Sequence, residues 1–237
     1  MKRALVFLCI LLGFSVLGWG QQKIDSVFVC DVRFTETRFN NPHAGSGFLL
    51  RYADTVYLCT AKHVLFFAKT DRMKGIGFGE ELEAWRFVNR GSKRVVIRAG
   101  KLVNEDPNEK LDGMPIHDWL IFKAPDSLPK HVAVFELRKS PLKSGETLYF
   151  TGFPYTPIEM EPIRVRGSFL GFTKAGNLKL DVPKAKYNGC SGGPVFDVQG
   201  RLVGIVSMGY FNAETEAMVF EPASTDYVKK VLAAIEN

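Results

Sequence analysis

A series of short apolar runs, bounded by Gly, Asn, Asp or Pro, constrains the fold of this 237-residue chain more than any other feature. Short runs rich in Val, Ile, Phe and Tyr that end at turn residues are typical of β-strands. Many short strands with frequent turns predict an all-β sandwich or barrels. The runs form two sets: 27–29, 47–50, 55–58, 94–97 and 119–122, then 147–150, 163–165, 178–180, 194–196, 202–206 and 217–220.

In the last segment of the chain, the apolar residues recur at a different spacing. Ser224 and Thr225 can cap a helix, because their hydroxyls accept hydrogen bonds from the first free N–H groups. The apolar residues that follow recur at the spacing of one helix face. They are Tyr227, Val228, Val231, Leu232 and Ile235. The sequence therefore predicts a C-terminal α-helix at about 224–236.

The first residues predict export. Lys2 and Arg3 precede an apolar run over 4–17, and small residues follow before Gln21. This order is typical of a secretory signal peptide, which we assign to 1–20. The run is shorter than the roughly 20 residues of a membrane span. An uncleaved N-terminal anchor is the alternative, and the predicted location is secreted or periplasmic.

Composition excludes several classes of function. The net charge of +6 comes from scattered basic residues that are not interleaved with stacking aromatics, so we expect no nucleic-acid partner. Of the 4 cysteines, those beyond the signal segment are Cys30, Cys59 and Cys190. With no Cys-x-x-Cys pair, we expect no zinc and no other cofactor. An odd number leaves at least one thiol unpaired, and a disulfide between Cys30 and Cys59 stays open.

The stretch 188–195, Asn-Gly-Cys-Ser-Gly-Gly-Pro-Val, predicts a nucleophile at Ser191. Its glycines permit a tight turn that a side chain would forbid. The same turn can direct two backbone N–H groups at one point beside the serine oxygen, where an oxyanion would form. A polar β-turn with no chemistry is the alternative interpretation of this motif alone.

Two further segments supply the partners that an activated serine needs, a base and a carboxylate. A strand-like run ends at His63, and Asp118 stands at the head of another apolar run. Asp106, Asp112 and Asp126 are rival carboxylates. They lie in loop-like sequence, so Asp118 is the preferred one.

These three motifs, in the order His63, Asp118, Ser191, resemble those of the chymotrypsin-like (trypsin-fold) serine peptidases. Thr-Ala-Lys-His, Asp-Trp-Leu-Ile and Gly-Cys-Ser-Gly-Gly-Pro look like the family's Thr-Ala-Ala-His, Asp-x-Ala-Leu and Gly-Asp-Ser-Gly-Gly-Pro. In style they are closest to bacterial periplasmic trypsin-like peptidase domains. The resemblance runs from Ser26 to Asn237.

The resemblance implies an all-β fold of two six-stranded antiparallel β-barrels with a C-terminal helix. One peptidase domain would occupy 21–237, with barrel one at about 26–139, barrel two at about 145–222 and the helix after them. The active site would lie in the crevice between the barrels. Its general base would be His63, its orienting carboxylate Asp118 and its nucleophile Ser191.

The resemblance also implies substrate contacts. The N–H groups of Gly189 and Ser191 would form the oxyanion hole. By the family's register, substrate-binding residues would be Ala185, Val206, Ser207, Met208 and Gly209, with Ala217 near the same pocket. None of them is acidic, which favours a small or medium apolar side chain over Arg or Lys before the cleaved bond.

Cys190 stands where family members have Asp or Asn. We interpret it as a small buried residue and not as the nucleophile. Because a thiol cannot pair with a newly cut N-terminal amine, we expect no activation by N-terminal cleavage.

His43 and His117 are interpreted as structural. A zinc site made from His43, His63, His117 and Asp118 would lack the usual ligand spacing.

The hypothesis from sequence is an exported serine endopeptidase that acts on proteins or peptides without a metal or cofactor. A non-catalytic binding protein on the same scaffold is the alternative from another class, since fold does not fix function. An esterase is the alternative within enzymes. We expect no stable membrane insertion once the signal segment is removed.

Overall fold

The computed structural model describes residues 27–89, 95–115, 117–155, 161–212 and 217–236. The predicted signal peptide over 1–20 and the predicted start of the domain at 21 lie outside the described residues. The helix of the described part is α1 (Asp226–Glu236). Its strands are β1 (Val27–Phe34), β2 (Ser46–Tyr52), β3 (Thr55–Thr60), β4 (Leu82–Asn89), β5 (Val95–Arg98), β6 (Leu120–Lys123), β7 (Phe135–Glu136), β8 (Thr147–Gly152), β9 (Ile163–Phe172), β10 (Leu178–Asp181), β11 (Pro194–Asp197), β12 (Leu202–Asn212) and β13 (Ala217–Ser224).

The first half of the chain forms one sheet in the order β5-β4-β1-β2-β3-β6, with β7 beside β2. The chain that leaves β5 then bonds to β6 at the other edge. The N–H of Gly100 donates to the carbonyl of Lys123 at 2.9 Å, and that of Val103 donates to Ile121 at 2.7 Å. These bonds bring the two edges together around a core that includes Phe28, Trp85 and Phe122.

The second half is a closed six-stranded barrel in the order β10-β13-β12-β11-β8-β9, with antiparallel neighbours throughout. Its core includes Phe150, Leu180 and Phe220. The predicted fold class is therefore confirmed: a mostly β, chymotrypsin-like fold with a C-terminal helix. The first sheet departs from the predicted six antiparallel strands, because β7 is a seventh strand that pairs parallel to β2. It lies on the connection to the second half and contributes only two residues.

The sequence did not predict β4, because Glu83 and Arg86 interrupt its apolar residues. In the structure β4 lies between β1 and β5, and half of its positions are buried. Arg86 is directly opposite Asp31 of β1, and the two side chains form an ion pair. Opposite charges facing each other across neighbouring strands stabilise the pairing, so Arg86 is compatible with a strand at this position.

The two halves and α1 share one buried cluster. It combines Phe48 and Trp119 from the first half with Ile205 from the second and Leu232 from the helix, all fully buried. Burying apolar side chains from both halves in one core fixes their relative placement. Within the described residues, no helix has the length and apolarity needed to cross a membrane.

Candidate active site

His63 and Asp118 lie next to two paired strands of the first sheet, β3 and β6. His63 belongs to a 3₁₀ helix, Lys62–Phe66, that begins just after β3. Asp118 precedes β6, which pairs with β3 at Thr60 and Leu120. The same two strands therefore deliver both side chains to one point.

Two hydrogen bonds hold His63 against Asp118. The backbone N–H of His63 donates to Oδ1 of the carboxylate at 2.7 Å, and Nδ1 of the ring lies 2.6 Å from Oδ2. Since a carboxylate can only accept, Nδ1 carries the proton and Nε2 is left with its lone pair. Asp118 is 2% exposed, so water does not compete for these bonds.

Ser207 also binds this carboxylate. Its hydroxyl donates to Oδ2 of Asp118 at 2.5 Å, across the boundary between the two halves of the chain. The sequence predicted Ser207 only as a substrate-binding residue. Its contact with Asp118 was missed, because nothing local to either motif shows that the two residues meet.

Ser191 lies in the turn before β11, on the side of the second barrel that faces the first half. The next residue, Gly192, approaches the chain that leads into His63. A Cβ at Gly192 would contact the carbonyl of Ser46 and Oγ1 of Thr60, and would lie 2.8 Å from the nitrogen of Ala61. Only glycine permits this approach, which brings the turn of Ser191 against the segment that leads into His63.

Ser46 of β2 bonds the turn that carries Ser191 to the first half. Its N–H donates to the carbonyl of Ser191 at 2.7 Å, and its hydroxyl donates to the carbonyl of Gly189 at 2.9 Å. The same hydroxyl accepts from the N–H of Phe153 at 2.8 Å. Ser46 is fully buried. The sequence does not predict this role, because the partners of Ser46 are far from it along the chain.

The turn leaves two backbone donors free. Gly189 has φ of +95°, and a Cβ there would lie 2.6 Å from the carbonyl of Phe153. Among the described residues, the N–H groups of Gly189 and Ser191 have no hydrogen-bond partner, whereas those of Cys190 and Gly192 are bonded. Unbonded, preorganised N–H groups are what a developing oxyanion requires.

The family model of the trypsin-like peptidase domain matches residues 45–205, which include His63, Asp118 and Ser191. The chain belongs to the trypsin-like peptidase domain family. The predicted resemblance to chymotrypsin-like serine peptidases is thereby confirmed, and the enzyme class is confirmed at the level of the family.

Among solved structures, the serine endoprotease from Yersinia pestis matches with a TM-score of 0.60 and 19% sequence identity. The match covers 89% of this chain and 62% of that one, so this chain spans less than two thirds of its length. At this identity the likeness shows the fold. No curated protein matches this trypsin-like peptidase domain significantly.

The structure buries Cys190 completely in this peptidase domain. Burial raises the pKa of its thiol to about 12, so the thiolate that would act as a nucleophile is disfavoured. A Cβ at Gly152 would lie 2.8 Å from both Cα and Cβ of Cys190. The packing agrees with the interpretation of Cys190 as a small buried residue.

Cys30 and Cys59 are also free, buried thiols. Cys30 lies on β1 and Cys59 on β3, with β2 between them. Neighbouring strands are about 4.8 Å apart, so two strand spacings exceed the Cα separation of a disulfide. The two side chains also belong to different core clusters. The disulfide that the sequence left open is not formed.

A cavity of about 260 Å³ opens beside Ser191. Of the predicted substrate-binding residues, Ala185, Val206, Ser207 and Gly209 line it. Met208 does not line it; it pairs with Glu221 of β13. The side chain of Ala217 lies outside the described residues. The sequence missed Lys186, Tyr187 and Asn188, which precede Ser191. It also missed four residues that the β12–β13 hairpin adds to the lining: Tyr210, Phe211, Met218 and Phe220.

His43 and His117 point elsewhere. The Nε2 atom of His43 donates to the carbonyl of Phe153 at 3.1 Å. The ring of His117 stacks on Tyr227 of α1. Across the part of the chain that the structure describes, no group of three or more His, Cys, Asp or Glu side chains is arranged to hold a metal ion.

Proposed function

We propose that the chain is a serine endopeptidase with Ser191 as nucleophile, His63 as general base and Asp118 as the carboxylate that orients the base. The observation that carries the proposal is the doubly bonded His63–Asp118 pair beside a serine turn with two free N–H groups. Nucleophile, base, orienting carboxylate and oxyanion donors together form the machinery of acyl transfer.

In the proposed reaction, Oγ of Ser191 attacks the carbonyl carbon of the peptide bond while Nε2 of His63 takes its proton. The N–H groups of Gly189 and Ser191 bind the oxyanion; losing one such donor typically costs about 10² to 10³ in rate. The C–N bond breaks as His63 passes the proton to the leaving amine. Water, activated by His63, then hydrolyses the acyl-enzyme and releases Ser191.

The proposed substrate carries an apolar side chain before the cleaved bond. The cavity beside Ser191 has apolar walls from Val206, Met218 and Phe220. Among the lining residues that the structure describes, none is acidic, and the charged one is the exposed Lys186. An Arg or Lys side chain would enter without a counter-charge and next to a like charge, which is unfavourable. The backbone of 207–209 would pair with the extended substrate.

We further propose that the peptidase needs no N-terminal cleavage for activity. The buried Cys190 thiol cannot form an ion pair with a new N-terminus, and Ser46 already bonds the carbonyls of Gly189 and Ser191. A recombinant mature chain, residues 21–237, that stays inert until it is clipped would contradict this.

Export to the periplasm or the medium is proposed from residues 1–20 alone. Cell fractionation with mass analysis of the mature N-terminus tests it. A soluble chain that begins at Gln21 is expected, and a full-length membrane-bound chain would support the uncleaved anchor.

Hydrolysis of an unbiased peptide library by the purified protein, beside Ser191→Ala, tests the activity. Internal cleavage that the variant lacks supports an endopeptidase. Hydrolysis restricted to ester substrates would support the esterase alternative. No hydrolysis of either by a folded protein would support the binding-protein alternative.

A further inference from the structure

Tyr227 of α1 contacts both residues that directly precede the His63–Asp118 pair. The Nζ atom of Lys62 lies 5.4 Å from the centre of the Tyr227 ring, within range of a cation–π contact. The ring of His117 stacks on Tyr227, with centroids 4.6 Å apart and planes 14° from parallel. One side chain of the C-terminal helix thus touches the two short segments that carry the base and its carboxylate.

Lys62 is held rigidly at this point. Its side chain is 1% exposed, and Nζ donates to both carboxylate oxygens of Glu109, at 2.9 and 2.7 Å. A buried amine without a partner is very costly, so the Glu109 contact is needed to keep it there. Glu109 lies in the loop that leads to Asp118. The ion pair therefore fastens that loop to the turn that carries His63.

Tyr227 is fixed as well. Its hydroxyl accepts from Nδ2 of Asn104 at 3.4 Å, and the same Nδ2 donates to the carbonyl of Trp119 at 2.6 Å. The indole N–H of Trp119, the residue after Asp118, donates to the carbonyl of Ser224 at 2.9 Å, just before α1. Both neighbours of Asp118, His117 and Trp119, are therefore bound to the C-terminal segment.

We propose that Tyr227 is a positioning residue that, with the Lys62–Glu109 ion pair, sets the placement of His63 against Asp118. Lys62 shares a peptide unit with His63, and His117 shares one with Asp118. A shift of either neighbour therefore moves a member of the pair. A misplacement of about 1 Å near the chemistry can cost about 10² in rate. This inference rests on the proposed function, and it gives one side chain of α1, Tyr227, a role in positioning the pair.

The test compares Tyr227→Leu and Lys62→Met with Leu232→Ala, a control on the same helix. Leu232 is fully buried in the cluster between the halves, so its truncation loosens the packing of α1 but retains the Tyr227 side chain itself. We expect Tyr227→Leu and Lys62→Met to lower kcat about 10- to 100-fold with KM changed less than about 2-fold. Leu232→Ala is expected to lose stability but keep kcat. Tyr227→Phe, which retains the ring, is expected to keep most of kcat.

A second readout does not depend on turnover. The proton on Nδ1 of His63, shared with Asp118, gives a far-downfield line in the proton NMR spectrum. We expect the line to broaden or disappear in Tyr227→Leu and Lys62→Met and to persist in Leu232→Ala. Both kcat and the line unchanged in the first two variants would overturn the proposal. So would an equal loss of kcat in Leu232→Ala, because general loosening of the helix would then explain the effect.

The experiments distinguish a failure of the endopeptidase proposal from a failure of the Tyr227 proposal. A wild-type protein that shows the NMR line but hydrolyses nothing would overturn the endopeptidase, while the line in the variants would still test the role of Tyr227. Lys62→Met leaves α1 untouched, so it remains informative if Tyr227→Leu does not fold.

Discussion

The carboxylate of Asp118 receives three hydrogen bonds, two of them from His63: the backbone N–H to Oδ1 at 2.7 Å and Nδ1 to Oδ2 at 2.6 Å. The third comes from Ser207 in the other half of the chain. His63 is thus fixed both as a backbone position and as a ring. The third bond, and so the full set on this carboxylate, forms only when the two halves are packed against each other.

Asp118→Asn should lower kcat about 10⁴-fold. An amide at this position presents an NH₂ group towards the ring, which favours the tautomer with the proton on Nε2, where it cannot act as a base. Steady-state kinetics measure the loss. Ser207→Ala is the matched comparison, because it removes one bond to the carboxylate but keeps the pair; its loss should stay near tenfold. Equal losses in both variants would contradict the tautomer role of Asp118.

Gly189→Ala should lower kcat about 10² to 10³-fold, because the loop must move away from φ of +95° and carry an oxyanion N–H with it. Gly145→Ala controls for backbone strain. Gly145 also has positive φ, of +85°, and nothing lies within 4 Å of its Cβ position. We expect both variants to lose a similar amount of stability, but only Gly189→Ala to lose kcat. Unchanged kcat in Gly189→Ala would argue against this oxyanion hole.

Cys190 should make the protein less stable at alkaline pH. Burial raises the pKa of the folded thiol to about 12 from an ordinary value of 9.0, so the neutral form is favoured in the folded state. The resulting stabilisation is fully present below pH 9 and is lost as pH rises towards 12, at about 1.4 kcal/mol per pH unit. Denaturant unfolding of wild type and Cys190→Ala between pH 8 and 11 should show the difference in unfolding free energy shifting in favour of the variant above pH 9. A difference that does not change with pH would mean that the thiol is not desolvated in the folded protein.

Lys186→Glu should extend cleavage to sites after Arg and Lys, because it replaces a cation in the described part of the cavity lining by a carboxylate. The wild type should cleave after apolar residues. Lys174→Glu changes the net charge equally but lines a different cavity, so its cleavage pattern should match the wild type. A peptide library read by mass spectrometry measures both patterns. Wild-type cleavage confined to sites after Arg would contradict the assignment of the cavity.

The sequence predicts most of the fold and the members of the candidate triad, because those signals are local. A strand that ends at His63 and a glycine turn at Ser191 each need only a few neighbouring residues. The contacts that support the site are not local. Ser207 meets Asp118, and Tyr227 meets Lys62 and His117, only after both halves and the helix have packed. No spacing rule reaches across those intervals, so these roles could not be predicted from the sequence.

The measurement that tests the account most directly is labelling of the purified protein with a fluorophosphonate, beside Ser191→Ala, followed by peptide mapping. The account predicts one label, on Ser191, that the variant lacks. A folded protein that takes up no label, or one labelled at Cys190 instead, would contradict it.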